Sequence, residues 1–273
     1  MAPDDDLIAH FDEAPVVEVV VGITLDPCGP AAGPLMSAFW KEHLREAFPI
    51  VEVQPPYSPP VEEFGRSQPP LMQVQLGVGF SDSRLFALSK DRQELIQLQP
   101  GWFACNWRKA NPGDDYDHWP RRRGVFDGWH SLLAKYMARE SGVTPAVRQC
   151  EVTYVNHITP NNEWSDHSDF GRIFTATLGA GASERLESLS VQAQSTLVSE
   201  QGAPIGRLYV KIIPGFARDG TTPIYVLELT ARGMLTGLSE GTGFLDAGRE
   251  AIVATFISLT TPAMHAEWKR REG

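Results

Sequence analysis

Six polar side chains stand inside otherwise apolar, strand-like stretches of this 273-residue sequence: Glu18, Asn106, Arg108, Glu151, Asn156 and His157. Where such strands are covered, these groups need partners, because an unpaired buried charge is strongly destabilising. Arg108 offers a planar fork of N–H donors to a carboxylate such as Glu18 or Glu151. Asn106, Asn156 and His157 would supply directed hydrogen bonds, and Trp107 an adjoining aromatic surface. Two readings stay open for this set. Either it only locks the fold together, or it lines a cleft and reads a ligand. The ligand- or partner-binding candidates are Asn106, Trp107, Arg108, Asn156 and His157, with Glu18 and Glu151 as structural ion-pair candidates.

Three further clusters invite chemistry and support it less well. Asp114, Asp115, Asp117 and His118 could together hold a divalent ion. Their spacing fits neither an EF-hand nor a zinc pattern, and three acids within four residues also describe a solvated turn. Asp166, His167 and Asp169 with Ser165 contain the residue types of a hydrolytic triad. Neighbours in sequence cannot line up as nucleophile, base and orienter, and no G-x-S-x-G elbow occurs. Gly241, Gly243 and Gly248 precede a helical pattern, but Asp246 beside them would oppose a phosphate and is better read as capping that helix. No catalytic residue, metal ligand or cofactor is therefore expected.

The elements that must position these residues follow from periodicity. Val17, Val19, Val21, Ile23 and Leu25 share one face of a strand. Further strands are expected at 73–80, 85–89, 95–99, 102–108 and 150–158, with the Pro100-Gly101 pair as a turn. Residues 35–48 repeat at helical spacing after Pro34. Val125, Phe126, Trp129, Leu132, Leu133, Tyr136 and Met137 form the stripe of a long amphipathic helix that Gly142 ends. Between them, residues 50–70 carry six prolines and read as an extended surface connector. The second half echoes this order, with strands at 189–197, 207–213 and 224–231. A helix from Phe244 and a last short helix starting at Thr261-Pro262 follow.

Composition narrows the functional classes. Lys and Arg number 24 against 34 Asp and Glu, so the net charge of −10 argues against nucleic acid as a partner. The only dense basic runs, Arg121–Arg123 and Lys269–Arg271, are three residues long. Three scattered cysteines support neither a disulfide framework nor a thiolate zinc site. No leader-like segment and no apolar run of membrane-spanning length is found, so a cytoplasmic protein without a membrane partner is expected.

Several stretches resemble one bacterial family. Pro15 to Val21 is similar to its opening strand. Gln97 to Pro100 leading to Asn106-Trp107-Arg108, and Thr153 to His157 with its Tyr-x-Asn-His pattern, resemble its central motifs. Phe256 to Pro262, with Met264, His265 and Trp268, resembles its closing helix. The family is sporadically distributed, of similar length and without an assigned activity. The resemblance implies a mobile-element or defence-associated role, as an antitoxin or a sensor. It transfers no catalytic residue.

The expected fold class is α+β, with two lobes, each an antiparallel sheet covered by a long helix. Residues 1–14 would be a disordered acidic tail, 15–165 the first lobe and 166–273 the second. The expected function is non-catalytic binding of a protein partner or small ligand at the cleft between the lobes. The alternative is a metal-dependent hydrolase or nuclease that uses the Asp114–His118 loop. Composition and motifs leave the oligomeric state open.

Overall fold

The computed structural model describes residues 10–26, 32–65, 83–176, 186–234 and 242–271. The expected strand at 73–80, the first nine residues of the acidic tail and residues 177–185 lie outside the described residues. The strands are β1 (Val16–Leu25), β2 (Ile50–Gln54), β3 (Arg84–Leu88), β4 (Glu94–Gln99) and β5 (Trp102–Arg108), then β6 (Val147–Ile158), β7 (Val191–Val198), β8 (Pro204–Phe216) and β9 (Pro223–Gly233). They join edge to edge in one antiparallel sheet, in the order β2-β3-β4-β5-β1-β6-β9-β8-β7.

This overturns the two-lobe expectation. The second meander, β7-β8-β9, does not form its own sheet but pairs along the free edge of β6, from Cys150 opposite Gly233 to Ile158 opposite Tyr225. The other edge of β6 pairs with β1. An order of elements is silent on which edges meet. An exposed edge presents unpaired N–H and C=O groups that a second meander can satisfy. The strand register therefore runs unbroken across the boundary placed at residue 165.

The helices are α1 (Ala32–Phe39), continued by a π-helical turn at Trp40–Leu44, then α2 (Trp119–Ser141), α3 (Phe170–Ile173), α4 (Phe244–Leu259) and α5 (Pro262–Glu267). α1 and α2 pack over β4, β5 and β1, and α4 packs over β9, β6 and β8. All lie on the same face. Val21 stands opposite Val152 and Val152 opposite Ala231, and the three belong to one core with Phe103, Phe126, Phe244 and Ile252. Burying each of these larger side chains is worth about 1.5–3 kcal/mol. Gly206 and Gly233 let two strands pass beneath the Phe244 ring. A Cβ on Gly233 would fall 2.2 Å from the Ile205 carbonyl oxygen and 2.5 Å from the Gly206 Cα.

Local signals are partly confirmed. Gly101 and Gly142 take positive φ angles, 82° in the β4–β5 turn and 71° at the end of α2, where the Gly142 N–H donates to the Ala138 carbonyl. Thr261 accepts from the Met264 N–H and caps α5. Asp166 and Asp169 form a reciprocal capping box around the turn at His167–Asp169, a structural use of that cluster. Asp246 does not cap α4: its Oδ1 accepts from the Trp119 indole N–H at 2.7 Å. Residues 10–14, expected in a disordered tail, are tied to the C-terminal segment. Phe11 bridges to Arg270, Asp12 pairs with Arg271, and Glu13 pairs with Lys269. No helix among the described residues is long and apolar enough to cross a membrane.

Candidate functional site

Period-two alternation turns half of each central strand away from the helices. On this second face, residues from adjacent strands line up in rows. One row runs Phe86, Gln97, Ala104, Gly22, Glu151, Arg232 and Arg207. The next runs Leu88, Leu95, Asn106, Val20, Thr153, Thr230 and Tyr209. The small residues Gly22 and Ala104 leave room for the Trp102 indole to lie across them. A Cβ on Gly22 would meet that ring at 2.6 Å.

No strand could cross this face where prolines stand at 55, 56, 59 and 60, because proline lacks the N–H donor. Residues 55–64 cross it as an extended strap held by side-chain amides. Gln99 exchanges two bonds of 2.8 Å with the backbone of Tyr57. Gln149 accepts from the Glu62 N–H at 2.8 Å and donates to the Pro60 carbonyl at 3.0 Å. Each glutamine thus presents a donor and an acceptor in the way a strand edge does.

The strap also carries charge. The Glu62 side chain, 3% exposed, takes ion pairs from Arg207 and Arg232, and accepts the Tyr209 hydroxyl at 2.7 Å. Glu151 accepts Arg232 Nε at 2.7 Å and the Tyr57 hydroxyl at 3.1 Å. Burial and the adjacent carboxylates keep both tyrosines protonated. Tyr57 is pushed well above the ordinary phenol value, and Tyr209 up to about 12.

A second network occupies the other end of the face. Glu18 Oε1 accepts Asn106 Nδ2 at 2.6 Å and Arg108 Nε at 2.9 Å. Asn106 Oδ1 accepts Gln97 Nε2 at 2.8 Å. Gln97 Oε1 in turn accepts Arg84 at 2.9 Å and the Trp102 indole at 3.2 Å. Between the two networks lies a cavity of about 770 Å³, bordered by Val20, Tyr57, Trp102, Thr153, Thr230 and Lys211 among others.

Of the sequence candidates, Asn106, Arg108, Glu18 and Glu151 meet at this cavity. Arg108 pairs with Glu18, whereas Glu151 is taken by Arg232. Trp107 and Asn156 point to the helix side. Trp107 packs on Tyr116 with ring centres 5.4 Å apart, and Asn156 donates to the Leu227 carbonyl at 3.1 Å. His157 is exposed, away from the cavity. Strand neighbours face opposite sides of a sheet, so Asn106-Trp107-Arg108 and Asn156-His157 are each divided between its faces. Arg84, Gln97, Trp102, Tyr57 and Arg232 were missed by sequence reasoning. Arg232 carries the signal that picked out Arg108, a charge inside an apolar strand. Nothing in the proline-rich run marks Tyr57 or Glu62.

The helix side holds another cavity of about 610 Å³, bordered by His10, Phe11, Asp114, Asp115, Tyr116, His118, Tyr154, Asn156 and Arg249 among others. Here Asp117 is engaged by Arg121 and Arg122, and Asp114 accepts the Asn111 N–H at 2.6 Å. No group of three His, Cys, Asp or Glu residues placed to hold a metal occurs among the described residues. The basic run is neutralised in place. Arg121 pairs with Asp117, Arg122 with Glu94 and Asp117, and Arg123 with Asp127 and Asp246. Comparisons with protein-family models, curated proteins and solved structures return no match.

Proposed function

We propose that this chain is a binding protein that takes a small polar ligand into the cavity beneath the strap, without catalysing a reaction on it. The cleft between lobes has no counterpart in a continuous sheet, so the recognition surface moves to the sheet face itself. One observation carries the reading. The side chains around the cavity are locked to each other, Glu18 through Asn106 and Gln97 to Trp102, yet a volume of about 770 Å³ stays open among them. That volume lies within the roughly 300–1,000 Å³ usual for small-ligand sites. Groups held before binding lose little entropy on binding, which favours affinity.

The test is nitrogen–proton correlation NMR with a matched set of probes: benzoate, benzamide and benzylamine. Binding by at least one probe is expected to shift the side-chain amides of Gln97 and Asn106 and the indole of Trp102. Gly22→Val, whose side chain would clash with the Trp102 indole at the cavity wall, is expected to abolish those shifts. Shifts confined to residues outside this cavity, or none with any probe, would overturn the proposal.

A further inference from the structure

The cations around this cavity are not equally matched. Lys211 pairs with Glu228 at 2.8 Å, and Arg232 pairs with Glu151 and Glu62. Arg108 engages Glu18 through Nε alone, and its terminal nitrogens make no hydrogen bond among the described residues. Arg84 has no ion pair among the described residues. It donates one N–H to the neutral oxygen of Gln97, while its buried Nε has no partner among the described residues.

Both guanidinium groups lie over the same ring, Arg84 at 4.8 Å and Arg108 at 5.7 Å from the centre of Phe86. Tyr57 also faces Arg84, at 5.2 Å. Phe86 thus holds two like charges side by side, and of the two only Arg108 pairs with a carboxylate among the described residues. Burial weakens the hold of Arg84 on its proton, Tyr57 partly offsets this, and the neighbouring Arg108 charge adds a smaller push in the same direction as burial. An arrangement of this kind is costly when empty and gains when a negative group enters. In a chain of net charge −10, a cationic excess at one end of a cavity is a local feature.

We infer that the ligand is an oxyanion, a carboxylate or phosphate, seated on the N–H groups of Arg84 and Arg108 that have no partner among the described residues, with an apolar portion against Val20 and Trp102. The inference rests on the binding reading above. Guanidinium forks match the planar oxygen pairs of such groups. The Phe86 ring holds the forks in place by cation–π contact.

Benzoate, phenyl phosphate, benzamide and benzylamine, titrated into the chain under the same conditions, test it. One of the two anions is expected to bind about tenfold or more tightly than benzamide, the difference a charge-assisted hydrogen bond makes. The tighter anion identifies the head group. Arg84→Gln and Arg108→Gln are each expected to weaken that anion by about tenfold and leave benzamide unchanged. Benzamide or benzylamine binding as tightly as the anions would overturn the oxyanion and leave the binding reading standing. Anion binding that survives both substitutions would also overturn it. Silence from all four probes would remove both readings. If Arg84→Gln does not fold, the probe comparison on the unaltered chain and Arg108→Gln still decide.

Discussion

β1 presents Val19, Val21 and Ile23 to the helices, each 1% exposed or less, and Glu18, Val20 and Gly22 to the strap. One strand therefore serves two environments. On the helix side, apolar rings close on glycine backbone, as Phe244 does over Gly206 and Gly233. On the strap side, closure is made by amides and ion pairs, with Gln99 and Gln149 on the backbone and Arg207 and Arg232 on Glu62. Dispersion and hydrophobic burial are non-directional and squeeze space out. Hydrogen bonds and ion pairs are directional, so a surface built from them can stay fixed around a void. The cavity of about 770 Å³ beneath the strap is walled by such networks, and the helix-side cavity of about 610 Å³ likewise opens where polar groups, among them Asp114, Asp115 and Arg249, stand beside the apolar core.

Glycine substitutions should expose the contrast most strongly. Gly233→Val places its Cβ against backbone that cannot yield and is expected to cost about 4 kcal/mol or more, the range of severe core damage. Gly22→Val meets side chains first, the Trp102 ring at 2.6 Å and the Ala104 Cβ at 3.1 Å, and is expected to cost about 1–3 kcal/mol. Urea unfolding of both variants measures the gap. Equal losses would mean that the two faces are equally rigid.

Ion pairs should separate the buried and rim ends of the strap face. Glu62→Gln leaves Arg207 and Arg232 short of a buried counter-charge and is expected to destabilise by about 3 kcal/mol. Glu18→Gln removes a partly exposed charge while keeping an accepting oxygen and is expected to cost about 1 kcal/mol. Denaturation midpoints report both. A larger loss at Glu18 would reverse the assignment of the strap as the main polar anchor.

The smallest effect concerns pH. On the helix side, burial lowers the pKa of His130, which stacks on Phe126, in spite of the opposing Asp127 charge. Burial, with Arg270 nearby, likewise lowers that of His265. A histidine whose folded pKa is depressed binds its proton more readily when unfolded. Its contribution to stability is present above the ordinary value of 6.5 and is lost as pH falls below it. His130→Phe is expected to flatten the acid limb of the stability curve by less than about 1.4 kcal/mol per pH unit. An unchanged acid limb would show that His130 is not responsible for it.

The polar residues at the cavity were legible where charge interrupts an apolar strand, as with Glu18, Asn106, Arg108 and Glu151. Their grouping was only partly legible, since Trp107 and Asn156 look equivalent in sequence and alternate to the opposite face. The strap was legible as an extended, proline-rich segment, but its use was not. Its contacts span separations such as Glu62 to Arg207, which no local pattern encodes.

Local sequence determined where most strands and helices lie, because period, proline and glycine act within a few residues, but β2 (Ile50–Gln54), inside the stretch read as a connector, and α3 escaped it. Only the tertiary structure decided that β9 would pair along β6, that Tyr57 and Glu62 would lie over the sheet, and that Arg84 would stand beside Arg108 with no ion pair among the described residues. Those outcomes depend on contacts between segments distant along the chain. Their free energies are settled by which edges and charges are left unsatisfied once everything else has packed.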